Sequence, residues 1–306
     1  MKRTSLVITA ILLAGCTASE THAQTFQKPP VFDTSDVCGT DDISEVTARI
    51  AILQDLISKG PEANMEKDFP QIIMEKAALD LALGSASPEL CSAAISKGEQ
   101  HFRRTLSIHQ SRMKRAGKYK KSRKKAIAST QASIAQLFRD SQATAKTAMA
   151  LRTDDKTGAD FWAYRLSVAH SAKVERVSRD GILAIVENAR WIDRDRYGKP
   201  ISDATWVITQ QSGNYPKFQK RALTEMKPFL ESGDINPANY AHLWDRVALN
   251  EDRKQRYGTQ PSWECLEGVM QLEPIEENAD LDELRKSVGL NPLAEGIAEM
   301  SRSLCK

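Results

Sequence analysis

Apolar residues recur at every third or fourth position along most of this chain, the spacing that places side chains on one side of an α-helix. The clearest case spans residues 41–59, where the spacing runs from Val46 to Ile57 and Gly60 follows as a stop. The same pattern, interrupted by glycine and proline, predicts further helices over residues 70–83, 88–110, 126–150, 158–177, 180–194, 203–211, 215–231, 237–249, 279–287 and 292–303.

Evidence for strands is thin by comparison. The Trp-Val-Ile-Thr run at 206–209 could form a strand, but its neighbours have the helical spacing, and no run alternates apolar and polar residues beside a turn signal. Asparagine followed by proline, a helix-start signal, occurs at Asn236 and again at Asn291. The sequence therefore predicts an all-α protein, an irregular multi-helix bundle with few or no strands.

The N-terminus has the features of a secretory signal. Lys2 and Arg3 precede a short apolar run, which ends at Leu-Ala-Gly-Cys over residues 13–16. The run is too short for a stable span of a bilayer, which needs about 20 residues. The Leu-Ala-Gly-Cys sequence resembles the lipobox of bacterial lipoproteins, in which the cysteine is acylated and becomes the first residue of the mature chain. We expect residues 1–16 to form the lipoprotein signal, with cleavage before Cys16, which then carries diacylglycerol and a further acyl chain such as palmitate.

The resemblance also implies a location. Thr17 follows the cysteine, where an aspartate would resemble the inner-membrane retention signal, so we expect a lipid anchor in the outer membrane, facing the periplasm. The alternative is ordinary cleavage after Ala23, which would give a soluble periplasmic protein. Residues 17–37 are polar, contain Pro29-Pro30 and have no apolar period, which predicts a flexible tether.

Four cysteines remain after Cys16, and an even number in an exported chain favours disulfides. Three pairings are possible. We favour Cys38 with Cys91 and Cys265 with Cys305, because each bond then closes a local loop. The alternative is four reduced, buried thiols. No two cysteines are near neighbours, so the spacing gives no sign of a zinc site.

Charge is balanced over the chain and segregated along it. Loss of Lys2 and Arg3 leaves 41 basic against 40 acidic residues, so net charge predicts no partner. Residues 26–100 hold 6 basic and 13 acidic residues, whereas residues 101–152 hold 14 basic residues and one acid, Asp140. From these shifts we expect an N-terminal helical region over residues 38–125, ending in the basic stretch, and a C-terminal helical domain over residues 126–306.

Nine basic residues crowd the stretch from Arg112 to Lys125. One hypothesis is contact with an anionic surface, such as phospholipid head groups or a wall polyanion, because each basic residue contributes about 1 kcal/mol near an anionic membrane. The other is a solvated helix–loop–helix tip around Gly117. We expect no nucleic acid partner, since an exported chain rarely meets one and Tyr119 is the only aromatic in the stretch.

The most distinctive motifs lie in the second half. Leu-Trp-Asp-Arg-Val at 243–247 is followed by Gln255 and then by Tyr-Gly-Thr-Gln at 257–260, with Arg285 and Gly289-Leu290 further on. This combination resembles an uncharacterised bacterial family, domain of unknown function 6624, over roughly residues 140–300. Asp140 and Gln142 resemble an earlier element of the same family.

One departure from the family's pattern bears on chemistry. The family usually has Gln-His before the helix that carries Phe-Gln, but here Gln210-Gln211-Ser212 precedes Phe218-Gln219. An amide cannot replace a histidine as a metal ligand or base, so we expect no metal and no cofactor. The resemblance implies that the motif residues lie together, and it brings no established activity.

Two interpretations of the motif residues remain open. They could line a polar pocket for a sugar, peptide or amide ligand, or they could form a buried hydrogen-bond network that pins a loop to the helices. Asp245 needs strong donors if it faces inward, and Arg285 and the Thr259 hydroxyl are the candidates. The candidate binding residues are Gln210, Asp245, Arg246, Gln255, Tyr257, Thr259, Gln260 and Arg285.

These observations favour an envelope lipoprotein whose helical domain binds a small molecule or a protein partner and performs no chemistry. A second hypothesis is a hydrolase of wall glycan or peptide, with Asp245 as the general base and Thr259 or Gln260 orienting the substrate. The third is a purely structural envelope protein. An enzyme would place Asp245 in an open cleft beside a second titratable group, whereas a structural protein would bury it with its partners.

Overall fold

A computed structural model of the chain describes residues 37–39, 42–62, 68–116 and 119–305. Among these residues twelve α-helices and one two-stranded sheet are found, so the all-α prediction is confirmed. The signal peptide, Cys16 and almost all of the tether lie outside the described residues. No helix in the described ranges is long and apolar enough to cross a membrane.

The chain divides into two compact units, the first ending at Ile185 and the second beginning at Val186. The division lies within a helix and differs from the boundary expected between residues 125 and 126. The reason is that the helices on either side of the basic stretch pack against each other and belong to one unit.

The first unit begins with a short 3-10 turn, Val37–Gly39, and continues with five helices: α1 Ile43–Lys59, α2 Phe69–Gly84, α3 Pro88–Ala116, α4 Lys125–Leu151 and most of α5 Gly158–Ala189. Asp42 caps α1 by accepting a hydrogen bond from Glu45 N at 3.0 Å. The core contains Trp162, fully buried, with Phe102 and Met74 beside it. Because a Cβ on Gly98 would lie 2.5 Å from the carbonyl oxygen of Ala159, α3 and α5 approach closely at this glycine.

The second unit contains the end of α5 and seven further helices: α6 Arg194–Tyr197, α7 Lys199–Gln211, α8 Pro216–Met226, α9 Pro228–Glu231, α10 Pro237–Asn250, α11 Leu281–Ser287 and α12 Leu293–Leu304. Its strands are β1 Pro261–Leu266 and β2 Val269–Leu272. Asn236 caps α10, with its side chain accepting from Ala238 N at 3.2 Å, as the Asn-Pro signal predicts.

The two strands form an antiparallel hairpin that the sequence did not reveal. Leu266 pairs with Val269 across a turn of Glu267 and Gly268, both with positive φ, which is the geometry of a two-residue hairpin turn. A register irregularity before Cys265, with Trp263 at φ 65°, breaks the alternation that would have indicated a strand. The helix α12 packs against this hairpin, where Ser301 Oγ accepts from Met270 N at 2.9 Å.

Both disulfides of the favoured pairing are present. Cys38–Cys91 joins the 3-10 turn to α3, and Cys265–Cys305 joins β1 to the residue that follows α12. Each bond lies within one compact unit. The bonds are compatible with an exported protein, since disulfides persist in oxidising compartments.

Two other local predictions were wrong. The helices expected at 158–177 and 180–194 are one continuous helix, α5, because Ile182 and Val186 continue its buried stripe past Ser178. The helix expected at 215–231 ends at Met226, and a separate short helix, α9, begins at Pro228. The run at 206–209 lies in α7, as the helix expected over 203–211 predicts, with Ile208 and Thr209 buried on one side.

Candidate functional site

Asp245 is the centre of the motif. Its side chain is 0 % exposed, on the inner side of α10. Its Oδ1 accepts from the backbone N–H groups of Arg256 at 2.8 Å and Tyr257 at 3.0 Å. Its Oδ2 accepts from the backbone N–H and the hydroxyl of Thr259, both at 2.9 Å. One carboxylate therefore holds the loop over residues 256–259 against the helix.

The loop can converge on Asp245 because Gly258 has φ +64°. A Cβ at this position would also lie 2.9 Å from side-chain atoms of Ile275 and Leu293, so both the backbone angle and the space require glycine. The Tyr-Gly-Thr-Gln motif thus has a structural explanation at its second residue.

Arg285, on α11 and 4 % exposed, holds the same loop from the other side. Its Nη1 donates to the carbonyl oxygens of Tyr257 and Gly258, and its Nε donates to the Asn291 carbonyl at 2.7 Å. The donor role expected of Arg285 is therefore directed at the loop's carbonyl groups and not at the Asp245 carboxylate. Asp245 satisfies the N–H groups of the loop and Arg285 satisfies its C=O groups.

Gln255, also 0 % exposed, closes the loop on itself. Its Nε2 donates to the carbonyls of Gln260 at 3.0 Å and Glu273 at 2.7 Å, and its Oε1 accepts from Gln260 N at 2.7 Å. The Gln255 backbone N–H donates to the Pro274 carbonyl at 2.8 Å. This glutamine therefore ties the start of the loop to its end and to the segment after β2.

Gln260 links the loop to two helices. Its Oε1 accepts from Arg246 Nε and Nη2 at 3.1 and 2.9 Å, and its Nε2 donates to the His242 carbonyl at 3.1 Å. Arg246 also donates from Nη1 to the Gln210 carbonyl, at the end of α7, at 2.9 Å. In this arrangement Gln210 contributes its backbone oxygen, so its side chain is not required for the contact.

One buried residue of this network belongs to the family's Phe-Gln pair and is not among the candidate binding residues. Gln219, on α8 and 0 % exposed, donates from Nε2 to the carbonyls of Thr209 and Gln210 at 3.0 and 3.1 Å, and its Oε1 accepts from Asn250 at 3.2 Å. It donates to carbonyls in the last turn of α7, where the capping N–H of Ser212 also donates to the Thr209 carbonyl. The Phe-Gln pair of the family's pattern was the signal that could have identified it.

The electrostatics agree with a buried network. Burial raises the pKa of Asp245 above its ordinary value, while the hydrogen bonds from Tyr257, Thr259 and Arg256 oppose that rise. Burial, with Arg285 and Arg246 nearby, lowers the pKa of His242 to about 4, so this histidine is neutral at physiological pH. The Asp245 oxygens accept four hydrogen bonds, three from backbone N–H groups and one from the Thr259 hydroxyl.

A mixed aromatic and basic surface lies directly on this network. The Trp244 ring is partly exposed, and the guanidinium carbons of Arg253 and Arg256 lie 5.1 and 5.2 Å from its centroid. Tyr257 packs edge-on against the same ring at 6.1 Å. We call Trp244, Arg253 and Arg256 the Trp–Arg surface. The signal in the sequence that could have indicated this surface is the basic run at 253–256, which follows a helix with a tryptophan.

The C-terminal part of the chain matches the profile of the family of unknown function DUF6624 over residues 143–304, more than half of its length. The chain belongs to this family. The comparisons with curated proteins and with solved structures gave no match.

Every candidate binding residue lies inside the DUF6624 match, and the structure brings all eight together around one loop. Asp140 and Gln142, which resemble an earlier element of the family, lie just before its first matched residue. Six of the eight are buried, with Gln210 and Arg246 partly exposed. This geometry matches the network interpretation, in which the motif gives the loop a fixed shape. The ligand-pocket interpretation of the same residues stays a prediction.

Proposed function

We propose that this protein is an exported envelope lipoprotein whose DUF6624 domain binds a protein partner through a rigid surface and performs no chemistry. The observation that carries the proposal is the hydrogen bonding of Asp245 at 0 % exposure. A general base must reach its substrate's proton, and here both oxygens are engaged in holding the loop. Residues arranged in this way fix a shape, which is what a binding surface needs.

The export part of the proposal depends on the N-terminal sequence and is supported by the disulfides. Leu-Ala-Gly-Cys at 13–16 supplies the acylation signal, and the bonds Cys38–Cys91 and Cys265–Cys305 are compatible with an oxidising compartment. Stable anchoring takes two acyl signals, which a diacylated cysteine provides. The proposed location is the outer membrane, facing the periplasm.

Labelling with radioactive palmitate tests the anchor. The wild type is expected to incorporate the label and to sediment with the outer membrane, whereas Cys16→Ser is expected to do neither. An unlabelled mature chain that begins at Gln24 would instead establish cleavage after Ala23 and a soluble periplasmic protein.

The basic stretch supports a membrane-facing role for the first unit. Lys120, Lys121, Arg123, Lys124 and Lys125 are exposed, as are Arg112 and Lys114 on the preceding helix. We propose that they contact anionic lipid head groups, each contributing about 1 kcal/mol. In vesicle flotation, replacing Lys120, Lys121, Arg123 and Lys124 by Gln is expected to abolish binding to vesicles that contain phosphatidylglycerol. Replacing the exposed Arg103 and Arg104 by Gln should leave it nearly unchanged.

The Trp–Arg surface is the proposed contact for the partner. Tryptophan, tyrosine and arginine carry most of the binding energy in protein–protein interfaces. The Arg253 and Arg256 side chains are 45 % and 50 % exposed, and both lie over the Trp244 ring. Glu251 also fixes Arg253 by accepting from its Nε and Nη2 at 3.2 and 2.7 Å. The network beneath holds the Tyr257 backbone in a single position, and a preformed surface loses less entropy on binding.

Photo-crosslinking in intact cells tests this contact. A photoreactive amino acid at position 244 is expected to crosslink to one discrete protein, and the exposed Lys199 of the same unit serves as the control position. Arg253→Glu with Arg256→Glu should abolish the crosslink while preserving the melting temperature. Equal crosslinking at both positions, or a crosslink that survives the charge reversal, would rule out a partner at this surface.

A further inference from the structure

A pair of basic side chains on α5 lacks a counter-charge. Lys173 and Arg176 lie one turn apart and are both partly buried. Within the described part of the chain, neither takes part in a hydrogen bond or an ion pair, and Arg176 Nε is fully inaccessible to solvent without a partner. Buried or partly buried cations are normally paired, so this pair is unusual.

The surroundings of the pair are positively charged. Burial and the nearby Arg176 lower the pKa of Lys173, and burial with Lys173 lowers the pKa of His170 to about 4. The rings of Phe102 and His170, 5.8 Å apart, place α3 against α5 at this level. On α3, two turns beyond Phe102, His109 has a buried Nδ1 without a partner.

His109 experiences the same type of environment as the pair. Its pKa is lowered by burial and by two cations, Arg112 and Lys146. The neighbouring charges that act on His109, His170 and Lys173 are all positive.

The acids nearest in sequence do not compensate this charge. Glu175 is not among the charges that shift Lys173, and adjacent or next-but-one residues of a helix do not face each other. Asp180 accepts from Arg179 Nε and Nη2 at 3.0 and 2.7 Å. An oxyanion from solution would supply a partner at Lys173 Nζ and at the Arg176 Nη groups, which, unlike Nε, are not among the solvent-inaccessible atoms.

We propose that Lys173 and Arg176 form a binding site for a phosphate group, with Lys173 as a point charge and the Arg176 guanidinium as a two-pronged donor. Arginine and lysine are the two side chains that recognise phosphate most often, and such charge-assisted hydrogen bonds are about twice as strong as neutral ones. The group could belong to free phosphate or to a lipid head group. Neither residue belongs to the Trp–Arg surface or to the basic stretch.

Calorimetric titration and thermal unfolding with sodium phosphate test the site, with sodium chloride at equal ionic strength as the reference. Phosphate is expected to bind and to raise the melting temperature. Arg176→Gln and Lys173→Met should each weaken the affinity about tenfold or more, because each removes a charge-assisted bond. Arg176→Lys should retain part of the affinity. Arg104→Gln, an exposed arginine on α3, is the matched control and should bind like the wild type.

The variants also carry a prediction without phosphate. Because Lys173 and Arg176 repel each other, Arg176→Gln is expected to melt at the same temperature as the wild type or higher. A lower melting temperature would mean that Arg176 has a partner within the protein, which would overturn the proposal. So would stabilisation by phosphate no greater than by chloride together with vesicle binding that Arg176→Gln leaves unchanged, or equal loss of binding in Arg104→Gln.

Vesicles of phosphatidylcholine with phosphatidylglycerol separate the two sources of the phosphate. If Arg176→Gln no longer binds free phosphate and keeps the vesicle affinity of the wild type, the natural ligand is a soluble phosphate. If the affinity of Arg176→Gln for vesicles falls below that of the wild type and free phosphate does not bind, the site takes a lipid head group. Vesicle binding through the basic stretch and crosslinking at Trp244 are measured on different variants. Phosphate binding by the Lys173 and Arg176 variants can therefore be interpreted even if the lipoprotein proposal fails.

Discussion

Asp245 accepts four hydrogen bonds while fully buried, so its substitution tests what the motif is for. We expect Asp245→Asn to lower the free energy of unfolding by about 2–5 kcal/mol, because an amide NH2 would face N–H donors and leave them unsatisfied. Urea denaturation measures the change. Asp252→Asn, exposed in the same unit, is the control, since asparagine tolerates its positive φ.

The hydrolase hypothesis makes the opposite prediction for the same variant. If Asp245→Asn kept the stability of the wild type and lost turnover of wall fragments, Asp245 would be a catalytic base and the scaffold interpretation would be wrong.

Asp140 provides a pH-dependent prediction. Burial raises its pKa to about 7, and Gln136 Nε2 donates to its Oδ1 at 2.6 Å. The folded state therefore retains a proton that the unfolded chain releases near pH 4, so stability falls as pH rises from about 4 to 7. We expect Asp140→Asn to remove that fall, which amounts to about 4 kcal/mol at most. Urea denaturation at pH 4.5 and pH 8 compares it with the exposed Asp154→Asn. Parallel pH profiles for both variants would contradict the prediction.

Gly98 tests the packing of the helices in the first unit. Alanine normally favours a helix by up to about 1 kcal/mol over glycine. Here its Cβ would lie 2.5 Å from the Ala159 carbonyl oxygen and 2.8 Å from Trp162 Cβ, and neither atom can move cheaply. We expect Gly98→Ala to destabilise the first unit by about 1–3 kcal/mol, as a lower melting temperature. Gly39→Ala, whose Cβ would meet no atom within 4 Å, should have little effect. A rise in stability for Gly98→Ala would show that the helices can separate there.

The sequence predicted elements where one periodic signal dominates and missed those that depend on distant contacts. Helices such as α1 and α10 were found because apolar spacing and caps agree. The hairpin at 261–272 was missed because it is short and its register is irregular at Trp263. It is held by packing against α12 and by the Cys265–Cys305 bond, which are distant in sequence. No local pattern contains that information.

The candidate site shows the same limit. The family resemblance implied that the motif residues lie together, and they do. The expectation that a buried Asp245 needs hydrogen-bond donors was also correct. Spacing along the chain cannot show which atoms meet, so the carbonyl partners of Arg285 and the backbone role of Gln210 needed the structure.

At the scale of the whole molecule, each disulfide closes a loop inside one unit, with separations of 53 and 40 residues. In the loop-entropy model each bond stabilises its unit by about 4 kcal/mol. We expect Cys38→Ser with Cys91→Ser to weaken the first unit, and Cys265→Ser with Cys305→Ser to weaken the second.

Calorimetry followed by limited proteolysis measures these effects. The first cleavage sites should fall before residue 186 in the variant without Cys38–Cys91, and after residue 186 in the variant without Cys265–Cys305. If both double variants were cut first in the same unit, the disulfides would not act locally.

The start of the family match has a practical consequence for anyone who expresses the domain alone. A gene fragment that begins at Ala143 would open midway through α4, discarding the turns that carry Ile134 and Leu137, together with all of α3. A fragment that begins at Val186 would instead cut α5 four residues before its end. In the first fragment, apolar side chains of α4 that α3 covers would be exposed to water and promote aggregation. Insolubility of that fragment would therefore result from the position of the cut and would not show that the matched region lacks a function of its own.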